Sequence, residues 1–159
     1  MFTVFVICTG NSCRSVMGEA LFNHFGRGRI KAFSAGSHPL GKINQDALTT
    51  LARHGLPTEG YTSQSWDEFA DQPMDIVITV CDSAAGEACP LYLTNAVRAH
   101  WGVPDPSHVN GTDTEKLDAF EQTFAMLDLR VKKMLTLPLE TLSPDELTRE
   151  LNAIGQLTA

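Results

Sequence analysis

An apolar run, Val4-Phe5-Val6-Ile7, leads without a break into Cys8-Thr9-Gly10-Asn11-Ser12-Cys13-Arg14-Ser15, after which apolar residues recur at Met17, Ala20, Leu21 and Phe25. The first run reads as a buried strand and the last spacing as a helix, so eight polar or small residues must make a tight strand-to-helix turn. Such a turn suits an oxyanion. A loop bending at Gly10 can aim several backbone N–H groups at one point, and the open first turn of the helix adds positive potential there. Arg14 supplies a planar fork for a tetrahedral anion. The same field favours a thiolate at Cys8, making it the candidate nucleophile. Thr9, Gly10, Asn11, Ser12, Cys13, Arg14 and Ser15 are the candidate anion-binding residues. Cys13, which faces into the helix, reads as a small core residue.

This loop is not a nucleotide-binding P-loop, because G-x-x-x-x-G-K-[ST] is missing. Nor do Cys8 and Cys13 make a zinc site, since C-x4-C has no matching second pair. A formal net charge of −7 and no basic stripe argue against nucleic-acid binding. The apolar N-terminus is too short to span a membrane. Four cysteines without a signal peptide point to a reducing cytoplasm, where such thiols are more often catalytic than structural.

Further along, Ile30 to Ser34 reads as a second strand. Asn44 caps a helix through Ala47, Leu48, Leu51 and Ala52 that closes at His54-Gly55, where His54 complements the helix terminus and is not a base. Trp66 to Phe69 forms a short helix. Ile76 to Val80 is apolar without alternation, as in a central parallel strand, and Val97 to Trp101 is a weaker fourth strand. One apolar face runs through Leu117, Phe120, Phe124, Leu127, Val131 and Leu135 from Thr114 onward. Ser143-Pro144-Asp145-Glu146 then opens a last helix with the face Leu147, Leu151 and Ile154, suited to docking on the main body or a partner. Alternating strands and helices predict an α/β fold with a parallel sheet, whose ligand site gathers at the strands' carboxyl ends. Cys8 and Cys81 both end strands and are expected to meet there.

Two more stretches carry chemistry. In Cys81-Asp82-Ser83-Ala84-Ala85-Gly86-Glu87-Ala88-Cys89-Pro90, Asp82 or Ser83 can cap a short helix. If residues 81–89 were helical, the two cysteines would lie roughly 12 Å apart, beyond the ~7 Å a disulfide spans between Cα atoms, so pairing them requires unwinding. Two unrelated buried thiols remain the plain alternative. Asp105, stiffened between Pro104 and Pro106, follows the fourth strand. It is either a turn cap or the carboxylic acid that a departing hydroxyl needs.

Together, VFVICTGNSCRS at the start, FSAG at 33–36, VITVCDSAAGEACP at 77–90 and HWGVPDP at 100–106 resemble an arsenate reductase of the low-molecular-weight phosphotyrosine phosphatase-like family. The resemblance implies a three-layer α/β/α fold around a four-stranded parallel sheet over residues 1–136, with 137–159 as a C-terminal helical extension. It implies reduction of arsenate to arsenite, for detoxification, without a cofactor. Cys8 would attack arsenate held by the loop and Arg14, and Asp105 would protonate the leaving hydroxyl. Cys81 would attack Cys8, and Cys89 would attack Cys81, leaving a disulfide for thioredoxin or for glutaredoxin with glutathione. Phosphate or sulfate would mimic the substrate. Asn11 and Ser15 would shape the loop and stabilise the thiolate. Thioredoxin-linked members carry one residue fewer between the last two cysteines. Some bind potassium near the positions of Asn11, Glu19, Ser34 and Thr62, with an aspartate where this chain has Gln64; no metal is assigned here. The alternatives are a plain phosphatase, whose tyrosine pair is replaced here by Ser107-His108, and a non-enzymatic thiol sensor that binds arsenite.

Overall fold

The computed structural model describes residues 1–81, 93 and 95–158. Its strands are β1 (Phe2–Ile7), β2 (Ile30–Ala35), β3 (Ile76–Thr79) and β4 (Val97–His100). They form one parallel sheet in the order β2-β1-β3-β4. The helices are α1 (Arg14–Phe25), α2 (Gln45–Arg53), α3 (Asp113–Leu135) and α4 (Pro144–Ile154), with short 3-10 turns at Trp66–Phe69 and Pro106–His108.

The two faces of the sheet are covered differently. Phe5 and Phe33, paired in register, both pack on Phe69, with ring centroids 4.9 and 5.5 Å away. Val6 points to the other face, where α1 approaches so closely that a Cβ on Gly18 would lie 3.1 Å from Val6 Cγ1. Residues of alternate parity thus bury on opposite sides, which explains the unbroken apolar runs Val4-Phe5-Val6-Ile7 in β1 and Ile76-Val77-Ile78 in β3. α1 also packs on α3, and α3 on α2.

Local chemistry sets the helix ends. Asn44 Oδ1 accepts from the Asp46 and Ala47 amides, and reciprocal capping boxes open α3 (Thr112 with Glu115) and α4 (Ser143 with Glu146). His54 ends α2, as expected; its ring stacks on Phe124 at 4.1 Å, and Nε2 lies 2.7 Å from Glu121 Oε2.

α4 docks on the main body. Leu147, Leu151 and Ile154 are buried, α4 contacts β4, and the Trp101 indole N–H donates to the Leu151 carbonyl at 2.8 Å. Arg130 of α3 is also buried there. Its Nη1 donates to the Trp101 and Gly102 carbonyls at 2.9 and 3.3 Å, and its Nε to Leu157 at 3.1 Å.

The chain leaves β1 for β2, then returns to β3 on the other side of β1. The carboxyl end of β1 is therefore the point where the winding direction reverses, the usual binding crevice of an open α/β sheet. Cys8 follows β1 at that point.

Candidate active site

The loop after β1 is turned inside out by its neighbours. The carbonyls of Thr9, Gly10 and Ser12 accept from the backbone N–H groups of His38, Leu40 and Asn44 at 3.0, 3.0 and 2.9 Å, and Ser63 Oγ adds a second donor to Gly10 at 3.2 Å. With its carbonyls satisfied outward, the loop keeps N–H groups for its interior. The lashing segment begins at Gly36, and nothing larger fits. A Cβ there would lie 2.3 Å from the Thr9 carbonyl oxygen and 2.7 Å from that of Cys8.

Asn11 holds the bend. It is the one non-glycine residue with positive φ (44°) among the described residues, and it is fully buried. Its Nδ2 donates to Ser15 Oγ at 2.8 Å and Ser34 Oγ at 3.0 Å, while its Oδ1 accepts from the Gln64 amide at 2.9 Å. Those three bonds offset the cost of a left-handed backbone. Ser34 in turn donates to Glu19 Oε1 at 2.5 Å. Burial pushes the Glu19 carboxyl up to about 7, against the hydrogen bond from Ser34. Gln64 Nε2 donates to the Ser34 carbonyl at 3.1 Å. Where the resemblance would put potassium, Gln64 thus turns its Nε2 to the Ser34 carbonyl, and Ser34 Oγ and Asn11 Oδ1 accept from protein donors.

Arg14 opens α1 and bridges to the segment after β4. Its Nη1 donates to the Val103 carbonyl at 3.1 Å and its Nη2 lies 3.3 Å from Asp105 Oδ2. Its Nε is buried and has no partner among the described residues. A buried donor left this way costs free energy that a bound anion would recover.

Asp105 caps the short turn at Pro106–His108, as the plain reading of Asp-Pro expects, and it also faces the loop. Its Oδ1 accepts from Ser107 N at 2.9 Å and Ser107 Oγ at 2.6 Å; His108 Nε2 lies 3.4 Å from Oδ2. Burial raises the carboxyl's pKa, but the Ser107 donors, Arg14 and His108 outweigh it and hold the group below the usual carboxylate range. Cys13 is buried as expected, yet its thiol points to Asp105 Oδ1 at 3.9 Å, so it lines the site and not just the core. Burial first, and then the Asp105 charge, push that thiol up to about 11.

The spacing favours a thiolate at Cys8; in the empty site a hydrogen bond with the Cys81 side chain and then burial push its thiol up, against the charge of Arg14. The Thr9 N–H, an obvious donor for a Cys8 thiolate or an anion, instead donates to Cys81 Sγ at 3.3 Å. Cys8 and Cys81 therefore meet, as their positions at the ends of β1 and β3 predict, and both are thiols. The sequence did not reveal the Gly36–Asn44 lashing, the Gln64 bonds to Asn11 and Ser34, Val103 or the His108 contact. FSAG was the one local signal for the first of these. Cys89 and the helix expected before it lie outside the described residues.

The model of the low molecular weight phosphotyrosine protein phosphatase family matches residues 3–152. The chain belongs to that family. Among family relatives, it is 34% identical to the arsenate reductase of Halalkalibacterium halodurans, covering 81% of this chain and 91% of the relative. It is 32% identical to that of Bacillus subtilis, over 82% and 92%. The solved arsenate reductase of Archaeoglobus fulgidus superposes with a TM-score of 0.70 at 27% identity, covering 84% of this chain and 99% of that one. The tyrosine phosphatase of Erwinia amylovora shares the fold, with a TM-score of 0.66 at 23% identity over 84% and 91%. Among the described residues no helix is long and apolar enough to cross a membrane, and no cluster of three His, Cys, Asp or Glu is arranged to hold a metal ion.

Proposed function

We propose that this family member reduces arsenate to arsenite through a protein thiol relay. The observation that carries the reading is the second thiol, Cys81, brought to the Cys8 loop at the carboxyl end of the neighbouring strand, where its Sγ accepts from the Thr9 N–H at 3.3 Å. Hydrolysis of a phosphate ester uses one nucleophile, an anion site and an acid, and water completes it. A second thiol beside the first has no task in that reaction. It has one in a two-electron reduction. The arsenate reductases among the relatives support the same choice.

In this account arsenate enters the loop of Thr9 to Ser15 and takes Arg14 as its fork, including the buried Nε. Its arrival draws the Thr9 N–H away from Cys81, and the amides and Arg14 now stabilise negative charge at Cys8. Proton loss from Cys8 becomes favourable in the complex rather than in the empty site. Cys8 attacks arsenic, a hydroxyl departs, and Asp105 gives it a proton to leave as water. Asp105 must itself be protonated first. Arsenate supplies the reason, because it takes over Arg14 and sets its own negative charge near the carboxyl.

Cys81 then attacks Cys8 Sγ as a thiolate. The sulfur–arsenic bond breaks, both its electrons remain on arsenic, and arsenite leaves with a Cys8–Cys81 disulfide behind. Cys89 attacks Cys81 and frees Cys8. Thioredoxin, or glutaredoxin with glutathione, reduces the resulting Cys81–Cys89 bond. Phosphate and sulfate bind the same loop as mimics. The relay is thiol chemistry suited to a reducing cytoplasm and to arsenic detoxification.

The test separates the two chemistries. Cys81→Ser should eliminate arsenite production and spare hydrolysis of an aryl phosphate. Arsenite formation by Cys81→Ser at the wild-type rate with a protein reductant would mean that an external thiol attacks Cys8 directly. Arsenate-dependent NADPH consumption with thioredoxin and glutaredoxin systems, run side by side, identifies the reductant.

A further inference from the structure

The two oxygens of Asp105 stand in different company. Oδ1 accepts from the amide and hydroxyl of Ser107 and lies 3.9 Å from the Cys13 thiol, so it is saturated with donors. A proton on this carboxyl belongs on Oδ2. Oδ2 faces two cations or potential cations: Arg14 Nη2 at 3.3 Å and His108 Nε2 at 3.4 Å. From α3, the element packed on this turn, the recorded contact is a neutral one, Thr123 Oγ1 to the Pro104 carbonyl at 3.5 Å. Cys13 is neutral near physiological pH.

Of the two partners, Arg14 cannot release a proton. His108 can, and its ring is 83% exposed while the Asp105 side chain is 20% exposed. One end of the imidazole thus meets bulk water and the other meets the oxygen that must carry the proton. The Ser107 clamp keeps the carboxylate oriented through the exchange.

We propose that His108 is the positioning residue that reloads Asp105 with its proton, passing it from solvent to Oδ2. The proposal rests on Asp105 acting as the acid of arsenate reduction. The steps balance. An imidazolium N–H moves its proton to the Asp105 carboxylate, giving neutral imidazole and carboxylic acid. That acid proton passes to the departing hydroxyl, which leaves as water and restores the carboxylate. Solvent then reprotonates the imidazole. Arg14, freed from Asp105 by the incoming anion, stays charged throughout.

The test is single-turnover arsenite release from fully thiol-reduced full-length protein mixed with arsenate, followed across about pH 5 to 8, where histidine changes charge. Wild type, His108→Ala, His108→Lys and Asp105→Asn are compared, with phosphate affinity measured for each. His108→Ala should slow release about tenfold, less than the ~10²-fold or more for loss of the acid itself, and should lose the pH-dependence that belongs to histidine. Added imidazole should restore the rate, since the vacated position is open to solvent. His108→Lys should keep phosphate affinity but stay slow, because an ammonium holds its proton at neutral pH. His108→Ala with the wild-type rate and profile, beside a slow Asp105→Asn, would overturn the role of His108 alone. A His108→Lys variant as fast as wild type would overturn it in favour of a purely electrostatic contact. Asp105→Asn at the wild-type rate, or no arsenite from wild type, would refute the underlying reading and His108's part in it together.

Discussion

Replacing Gly36 by alanine tests whether the anion loop is shaped by the segment that lashes its carbonyls. The new Cβ would stand 2.3 Å from the Thr9 carbonyl oxygen and 2.7 Å from that of Cys8. Both are backbone atoms, so no side chain can swing aside. The Thr9 oxygen must retreat by about 0.7 Å merely to reach 3.0 Å. That shift strains the 3.0 Å bond from His38 N. Overpacking of this kind costs about 1–3 kcal/mol, and a weakened backbone hydrogen bond adds about 1 kcal/mol, so urea unfolding should show a loss of about 2–4 kcal/mol. Because Thr9 is the second residue of the anion loop, turnover should fall further than stability implies. A misplacement near 1 Å can cost ~10²-fold, and roughly 30- to 100-fold is expected here under conditions where the variant is fully folded. Calorimetry should show weaker phosphate binding in parallel. Gly28→Ala is the control: Gly28 has positive φ (80°) and open space around it, so alanine there costs stability without touching the loop. Gly36→Ala with wild-type phosphate affinity and arsenite release would refute the claim that this close approach sets the loop.

Asp105→Asn should lower arsenite release by roughly 10²–10⁴-fold while phosphate still binds; an unchanged rate would return Asp105 to turn capping. The same residue has a signature in stability. Its folded-state carboxyl lies below the usual range, so it binds its proton less tightly folded than unfolded, and its contribution is present above the unfolded pKa and lost as pH falls through the folded one. The stability gap between wild type and Asp105→Asn should therefore close on acidification, as read by urea unfolding at several pH values. Cys8→Ser should abolish both arsenite production and aryl-phosphate hydrolysis. Thiol alkylation of the empty wild type should report a Cys8 pKa above the ordinary thiol value, and Cys81→Ala should lower it by removing the first cause of the rise. Arg130→Met should cost about 2–4 kcal/mol in urea unfolding, because the buried carbonyl of Trp101 and the part-buried carbonyls of Gly102 and Leu157 lose their donor.

The elements that the sequence made legible are those built on local or one-dimensional signals. The apolar runs before Cys8 and Cys81 are strands because both faces of the sheet are buried, and Asn44 and Ser143 announce helices through their own side chains, whereas the long helix was read from its apolar face and its cap at Thr112 was not. The strand ends were read to within a residue or two: β2 runs on to Ala35, while β3 and β4 stop at Thr79 and His100. The meeting of Cys8 and Cys81 followed from topology, since adjacent parallel strands end at one edge. What escaped depends on distant partners. The backbone bonds of His38, Leu40 and Asn44 to the loop carry no side-chain signature. Cys13 looked like core because a small thiol at a strand-to-helix turn is usually just packing, and its contact with Asp105 comes from a residue 92 positions away. The upward push on the Cys8 thiol turned on a neighbour, Cys81, whose hydrogen bond, together with burial, outweighs the Arg14 charge.

The central claim is that the electrons for arsenate come from Cys8 and Cys81, and Cys89→Ser isolates that step. Reduced Cys89→Ser mixed with excess arsenate and no external thiol should release about one arsenite per protein and stop, with peptide mass mapping showing Cys8 joined to Cys81. Arsenite release without that disulfide, or no arsenite at all while Cys8 and Cys81 remain thiols, would contradict the account.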